Sequence, residues 1–507
     1  MRLDDNRPQR LELFNQSGSG VDAPGDRRGS LKRWFIMKRH LSTLVATAIL
    51  TGATFANAAD VTRIVMPSSE DAKVGFRFAP EFNFSHQTGQ VARESHCQAG
   101  VTVGADGRQR CSEDSIVLNR ELDWKQTSNF LDLDFRVGIA RRVELGITVP
   151  IALSHLTDYS YAEDISELNS TIDRTSGAAA LDRGNGDGIY STYHYFEVSD
   201  GYDGIKRGGL GDIEFHLNFL ALSQELNPNF ANLLLGLTYQ APTGKARAGD
   251  NKGIGRGVHE LTLRLAASRQ IKFVEPYFSA EYTATMGNGG LFENLGSTQH
   301  YSRPGHQIDF RGGLEFELYK DESKGTDIRL GLGVIAGVRT PGRDYSPIFE
   351  GLANSRCNGS TMSGTGVSPT GAPYNPAASE TNSECAWVVQ QPGNTAGSLT
   401  DSSAPYAHNG ITFVDRHLYI GGEAQLHMQF QRNIGIQIGL GYRAITNHLI
   451  TGENTGEDHN GDRSVDMNPT AGERNPHYNP TLDATGHRFL IEGFRRLDVD
   501  AGLIVQF

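Results

Sequence analysis

From residue 74 onward the chain repeats one pattern: apolar side chains at every second position, with polar or small residues between. Leu131, Leu133, Phe135, Val137 and Ile139 alternate with Asp132, Asp134, Arg136 and Gly138. Val143, Leu145, Ile147, Val149 and Ile151 alternate with Glu144, Gly146, Thr148 and Pro150. A β-strand turns successive side chains to opposite faces, so each run has one apolar and one polar face. Twelve runs qualify: 74–84, 131–139, 143–153, 213–219, 233–239, 261–265, 274–282, 308–318, 328–338, 418–430, 434–442 and 497–507. No helical repeat of 30 to 45 residues interrupts them.

The connections alternate in length. Arg141-Arg142, 223–229, 269–272, 320–325 and 431–433 are short. The others are long: 87–127, 156–208, 242–257, 287–305, 341–415 and 451–493. Short turns at one end, long loops at the other and an even strand count are the plan of an outer-membrane barrel. The pattern therefore predicts an all-β fold, a closed antiparallel 12-stranded transmembrane β-barrel with short periplasmic turns and long extracellular loops. The last residue, Phe507, directly follows the apolar face of the twelfth run. A terminal aromatic there resembles the signal by which bacterial barrel-assembly machinery recognises its clients, so that machinery and outer-membrane lipid are expected partners.

Upstream of the barrel, 37–58 reads as a secretory signal peptide. Lys38 and Arg39 precede an apolar stretch, Leu41 to Phe55, and Ala56-Asn57-Ala58 supplies the small-x-small cleavage site. The expected organisation is an upstream extension over 1–36, the signal peptide over 37–58 and the barrel over 59–507, with the true start at Met37. Residues 59–71 are expected to lie on the periplasmic side. Export to an oxidising compartment changes the reading of the four cysteines. Cys97, Cys111, Cys357 and Cys385 allow three pairings, and proximity favours Cys97–Cys111 and Cys357–Cys385.

Composition narrows the function. A mean hydropathy of −0.40 excludes a polytopic helical membrane protein but not a barrel. The formal charge of −12 argues against general nucleic-acid binding. Twelve tilted strands ~4.8 Å apart give a backbone diameter of roughly 24 Å, and inward side chains reduce the bore to about 10 Å. The lumen-lining candidates are Arg77, Asp132, Arg136, Glu214, His216, Arg264, Glu275, Tyr277, Glu281, Asp309, Arg311, Glu315, Arg329 and Arg443. The full inward set holds eight arginines against fifteen carboxylates, a balance that favours cations. Tyr277 offers a stacking surface to small solutes.

Enzyme motifs are lacking. His259-Glu260 begins a metalloprotease-like pattern, but Leu263 stands where the second histidine is required. His216 and His427 fall on the inner face, away from lipid. No enzyme activity and no cofactor are expected. The one candidate metal site is a calcium-type loop in which Asp458, Asn460, Asp462 and Asp466 supply oxygens at positions 1, 3, 5 and 9. Arg463 replaces its glycine and the twelfth-position glutamate is missing. Asp182, Asn185 and Asp187 form a weaker cluster.

Gly208-Gly209-Leu210-Gly211-Asp212-Ile213, the run Arg142 to Pro150, and Ala241-Pro242-Thr243-Gly244 resemble segments of the MetA-pathway of phenol degradation family of outer-membrane porins. The similarity is best over 130–340. It implies a twelve-stranded outer-membrane channel for passive uptake of small, often aromatic or hydrophobic, organic solutes. The long cysteine-containing loops depart from that family. The alternative is a non-conducting surface barrel whose disulfide-bearing extracellular loops bind a partner.

Overall fold

Each of the twelve alternating runs folds as a strand, and every one extends further than its apolar alternation. The computed structural model describes residues 60–65, 74–96, 116–139, 142–165, 206–248, 251–287, 291–292, 298–321, 323–353, 410–431, 433–465, 473, 475, 477–478 and 480–507. The extension over 1–36, the signal peptide, all four cysteines, Asp466 and the Asp182 cluster lie outside these residues.

The strands are β1 (Val74–His96), β2 (Ile116–Ile139), β3 (Val143–Tyr161), β4 (Arg207–Leu210), β5 (Ile213–Leu222), β6 (Asn232–Ala241), β7 (Val258–Ser268), β8 (Val274–Gly287), β9 (Gln307–Asp321), β10 (Thr326–Arg339), β11 (Gly342–Asp344), β12 (Thr412–Val414), β13 (His417–Gln431), β14 (Ile434–Ile445), β15 (His448–Leu449) and β16 (Phe489–Gln506). Twelve of them, β1, β2, β3, β5 to β10, β13, β14 and β16, follow one another around a single antiparallel sheet. Pairing of β1 with β16 closes it, with Arg77 opposite Gln506 and Phe84 opposite Val499. Phe76 and Phe507 exchange both backbone hydrogen bonds, at 2.9 and 2.8 Å, so the terminal residue completes the seam. Closure removes the unpaired edges that an open sheet would present to lipid.

The outer face is apolar. Phe76, Leu145, Leu235, Leu263, Leu332 and Leu440 are each between 45 and 54% exposed, values a soluble protein would not tolerate across a whole girdle. A strand needs about 9 to 11 residues to cross a bilayer. β5 and β6, of 10 residues each, are of that length, whereas β1 and β2 have 23 and 24. The β1–β2–β3 wall therefore rises well beyond the membrane, and much of the predicted loop 87–127 is strand. Val91, Leu122 and Trp124 are buried there beside the polar Gln87, Gln126 and Arg93, so no face is uniformly apolar or polar and the stretch escapes a search for simple alternation.

Beside that wall, β3 pairs with β5 over Val143 to Thr148 and then with the short β4. Gly211-Asp212 makes the break. Asp212 accepts hydrogen bonds from Gly244 N and Arg256 N at 2.9 and 2.7 Å. Any side chain at Gly244 would strike the Leu210–Gly211 backbone, which explains the glycine at that position.

Candidate functional site

The lumen is filled near both ends and hollow between them. At the short-turn end the segment Asp60–Val65, with a 3-10 turn over Asp60–Thr62, enters the barrel rather than staying outside it. Val61 and Ile64 are buried against Leu220, Leu234 and Ala266, with Tyr277 alongside. Thr62 Oγ1 bonds Ser268 Oγ at 2.6 Å, and Val65 N donates to Glu144 Oε2 at 2.6 Å. Arg63 reaches Glu315 at 3.3 Å. These partners stand on β3, β7 and β9, so the segment crosses the mouth. Residues 60–65, part of the 59–71 stretch expected on the periplasmic side, thus sit at the short-turn end but within the barrel mouth. Leu220, Leu234 and Ala266, facing inward, form an apolar seat that a water-filled pore would not favour.

At the opposite end, part of the predicted loop 341–415 folds inward. Ile348 and Leu352, on a short helix and its approach (Phe349–Ala353), join Val91, Leu122, Trp124, Tyr159, Ile450, Leu482, Phe489 and Ile491 in one buried core. Phe349 and Ala353 pack with Val258, Phe292 and Ile411 on the other side. Buried ion pairs hold this cap. Arg207 grips Glu350 through two bonds of 2.6 Å. Asp344 takes Arg256 at 2.8 Å and Arg339 at 3.0 Å. Arg343 meets Glu453 at 3.4 Å. The carboxyl of Asp344 is buried, which alone would raise its pKa, but Arg256 and Arg339 hold it below the ordinary range. The empty ~10 Å bore inferred from strand count is therefore not what the described residues enclose.

Between plug and cap lies a chamber of about 840 Å³. Val61 forms part of its floor, and His155 and Arg247 reach its opposite end. Its walls carry Asn83, Ser85, Gln87, Gln126, Ser128 and Gln425 together with seven carboxylates and five arginines. Smaller cavities of about 200 and 270 Å³ adjoin it near Arg77 and His216.

No protein-family model matches this chain, and no curated protein matches it. Several solved structures are similar. An outer-membrane channel from Pseudomonas putida F1 shares 12% identity at a TM-score of 0.35, covering 88% of this chain and 100% of that one. A FadL homologue from Pseudomonas aeruginosa shares 8% at 0.27, covering 85% and 90%. The outer membrane protease OmpT from Escherichia coli shares 8% at 0.26, covering 87% and 99%.

The predicted lumen residues distribute as follows. Asp132, Glu214, Arg264, Tyr277, Arg311, Glu315 and Arg443 line the main chamber. Arg77 and Arg136 line the first smaller cavity, and His216 and Glu281 the second. Many are paired. Arg136 binds Asp134 and Glu144 at 2.8 and 3.1 Å. Arg264 faces Glu281 at 3.3 Å, Arg311 faces Glu423 at 3.9 Å, and Arg443 and Arg496 share Asp498 at 3.8 and 2.8 Å. Asp309, nearly buried, accepts from Gln307 at 2.8 Å. Glu275 and Arg329 do not front open space. Both are 2% exposed, in a knot where Arg329 meets Asp327, Glu275, Glu315 and Glu317. Tyr277 lies over Gly313 and Gly333 and donates to Glu423 Oε1 at 3.4 Å, so part of its ring is already covered.

Elsewhere, His259 Nδ1 bonds Tyr239 Oη at 2.7 Å, on β7 rather than on a helix. In the candidate calcium loop, Asp458 accepts from Gly461 N and Arg463 N at 2.6 and 2.7 Å, and Asn460 and Asp462 accept from Asp462 N and Ser464 N. These oxygens are turned to the loop's own backbone. Among the described residues no group of three acidic, histidine or cysteine side chains is arranged to hold a metal.

The sequence pattern missed Val61, Ser128, His155, Arg207, Arg247, Asp344 and Glu350. Most lie where connections were expected, and nothing in their spacing marks them as inward.

Proposed function

We propose that this protein is a gated outer-membrane channel for passive uptake of small polar organic solutes. The observation that carries the reading is a hydrophilic chamber inside a barrel whose outer face is an apolar girdle. Burying so many charged groups in a lumen is costly unless they are paired or hydrated. Here they are paired around a cavity large enough for a small organic molecule and its water. Conduction requires the Asp60–Val65 segment, the cap or both to move. The segment is the better candidate for a gate: it is only six residues long and is held by hydrogen bonds, the Arg63–Glu315 ion pair and the buried side chains of Val61, Ile64 and Val65, with no covalent or sheet pairing to the wall among the described residues. The girdle contacts lipid, and exposed Phe507 at the seam offers the terminal aromatic to the assembly machinery.

The chamber lining is more polar than a carrier of purely hydrophobic compounds requires, so charged or hydrogen-bonding solutes fit it better. Planar-bilayer recording tests the reading. The full chain should show small or intermittent conductance, and deletion of residues 60–65 should raise it at least several-fold. Absence of conductance in both would sink the channel reading. It would favour the second one, a non-conducting surface barrel that binds a partner through its extracellular loops. The solid core around Ile348, Leu352, Ile450 and Phe489 is the observation on that side.

A further inference from the structure

One cation at the capped end of the chamber differs from the rest. Arg77, Arg136, Arg264, Arg311, Arg443 and Arg496 sit on barrel strands. Arg247 instead comes from the segment after β6, which folds over the chamber. Its guanidinium stacks on Tyr345 at 4.8 Å from the ring centroid. Among the described residues it has no carboxylate partner within ion-pair distance and its side chain makes no hydrogen bond. Its Nε is sealed from solvent without an acceptor. The nearby acids are committed elsewhere: both oxygens of Glu350 are taken by Arg207, and Asp344 is shared by Arg256 and Arg339. Burial accordingly draws the Arg247 pKa below its ordinary range, and Glu350 only partly opposes it.

A second unsatisfied group lines the same chamber. His155 is 4% exposed, and its Nδ1 is fixed by Ser128 Oγ at 2.7 Å. Its Nε2 is buried with no partner. Orphaned buried polar atoms are rare, because each forfeits its hydration without replacement. Ser85 Oγ, Asp132 Oδ1 and Arg311 Nε on the chamber wall are also without a hydrogen-bond partner, but Arg247 and His155 are the ones that reach its capped end, one cationic and one able to donate from a ring held by its other nitrogen, and together they form an acceptor-seeking pair.

We infer that Arg247 and His155 form a recognition site for the carboxylate of a small organic acid. The guanidinium supplies charge and a planar fork suited to a carboxylate. With Ser128 donating to Nδ1, the imidazole presents Nε2–H to the ligand. Phe130 and Pro150 on the chamber walls suit a flat apolar body behind the acid group. This inference rests on the channel reading for its physiological sense, but binding at equilibrium does not require conduction, so the two can fail separately.

The test is calorimetric titration of the detergent-purified full chain with benzoate and with benzamide, its neutral isostere. Benzoate should bind at least 10-fold more tightly. Arg247→Gln should bring benzoate down to the benzamide level while leaving benzamide unchanged, and Arg247→Lys should retain part of the preference. His155→Gln should weaken benzoate several-fold with the same neutral control. Heat-modified gel mobility confirms that each variant is a folded barrel. If one fails to fold, the other two still decide. Equal affinity for the two probes in the unmodified protein, or a benzoate preference that survives Arg247→Gln and His155→Gln, would overturn the assignment. A bilayer recording on the same samples reports conduction independently.

Discussion

Arg207 and Glu350 are 143 residues apart in the chain and meet through two parallel hydrogen bonds of 2.6 Å, with Arg207 only 1% exposed. This pair fastens the short helix of the cap to β4 at the rim of the lowest part of the wall. Removing one partner of a buried pair strands the other charge, at about 3 to 5 kcal/mol. Glu350→Ala should therefore loosen the cap without dissolving the barrel. Limited proteolysis near 345–353 should accelerate, while the heat-modifiable mobility of the barrel persists. Unchanged protease resistance would show that the apolar core around Ile348 suffices alone.

Acid should loosen the same end. His448 is 5% exposed and stacks on His417 at 4.0 Å between ring centroids. Burial first, and the neighbouring His417 second, draw its pKa down to about 4. The unfolded chain binds this proton at the ordinary histidine value near 6.5, so between those limits unfolding takes up protons. Stability is thus fully present above about pH 6.5 and declines as pH falls toward 4, by about 3 kcal/mol across the window. His448→Phe should flatten the dependence of the unfolding midpoint over pH 4 to 6.5. A slope that persists unchanged in the variant would assign it to other groups.

The outer girdle gives a depth-dependent expectation. Leu145→Arg, Leu235→Arg and Leu332→Arg should each cost about 2 to 4 kcal/mol if they sit near the bilayer midplane. Folding into vesicles against denaturant measures this. The inward neighbours are not uniformly permissive. A side chain at Gly333 would strike Tyr277 Oη, and one at Gly236 would come within 2.8 Å of Asn218 Oδ1. Gly333→Ala should displace Tyr277 and alter conductance rather than simply narrow the bore.

Orientation is tested by tags. An epitope in the 323–325 turn should be reachable only after the outer membrane is opened. One within 360–380 should label on intact cells. Surface labelling of the turn would invert the assignment.

The amino-acid sequence by itself determined the barrel. Period-two alternation fixes which face of each strand meets lipid, as at Leu145 and Glu144, because a one-residue slip would expose every charged neighbour. The twelve alternating runs and the short turns between them then set the strand count. Those signals are local, and each strand repeats them. The ends of the lumen were decided only by the tertiary structure. Val61 and Ile64 find their seat against Leu220, Leu234 and Ala266, which no spacing links to them. Strand residues such as Val91, Leu122 and Trp124 face inward yet are apolar, because they cover an inserted cap rather than water. The charge count was legible, but the pairing that neutralises most of it was not: Arg264 with Glu281, or Arg207 with Glu350, depends on register and on a long connection folding back. Arg247 and His155 stand out only once the neighbouring acids Glu350 and Asp344 have been given their arginine partners in space.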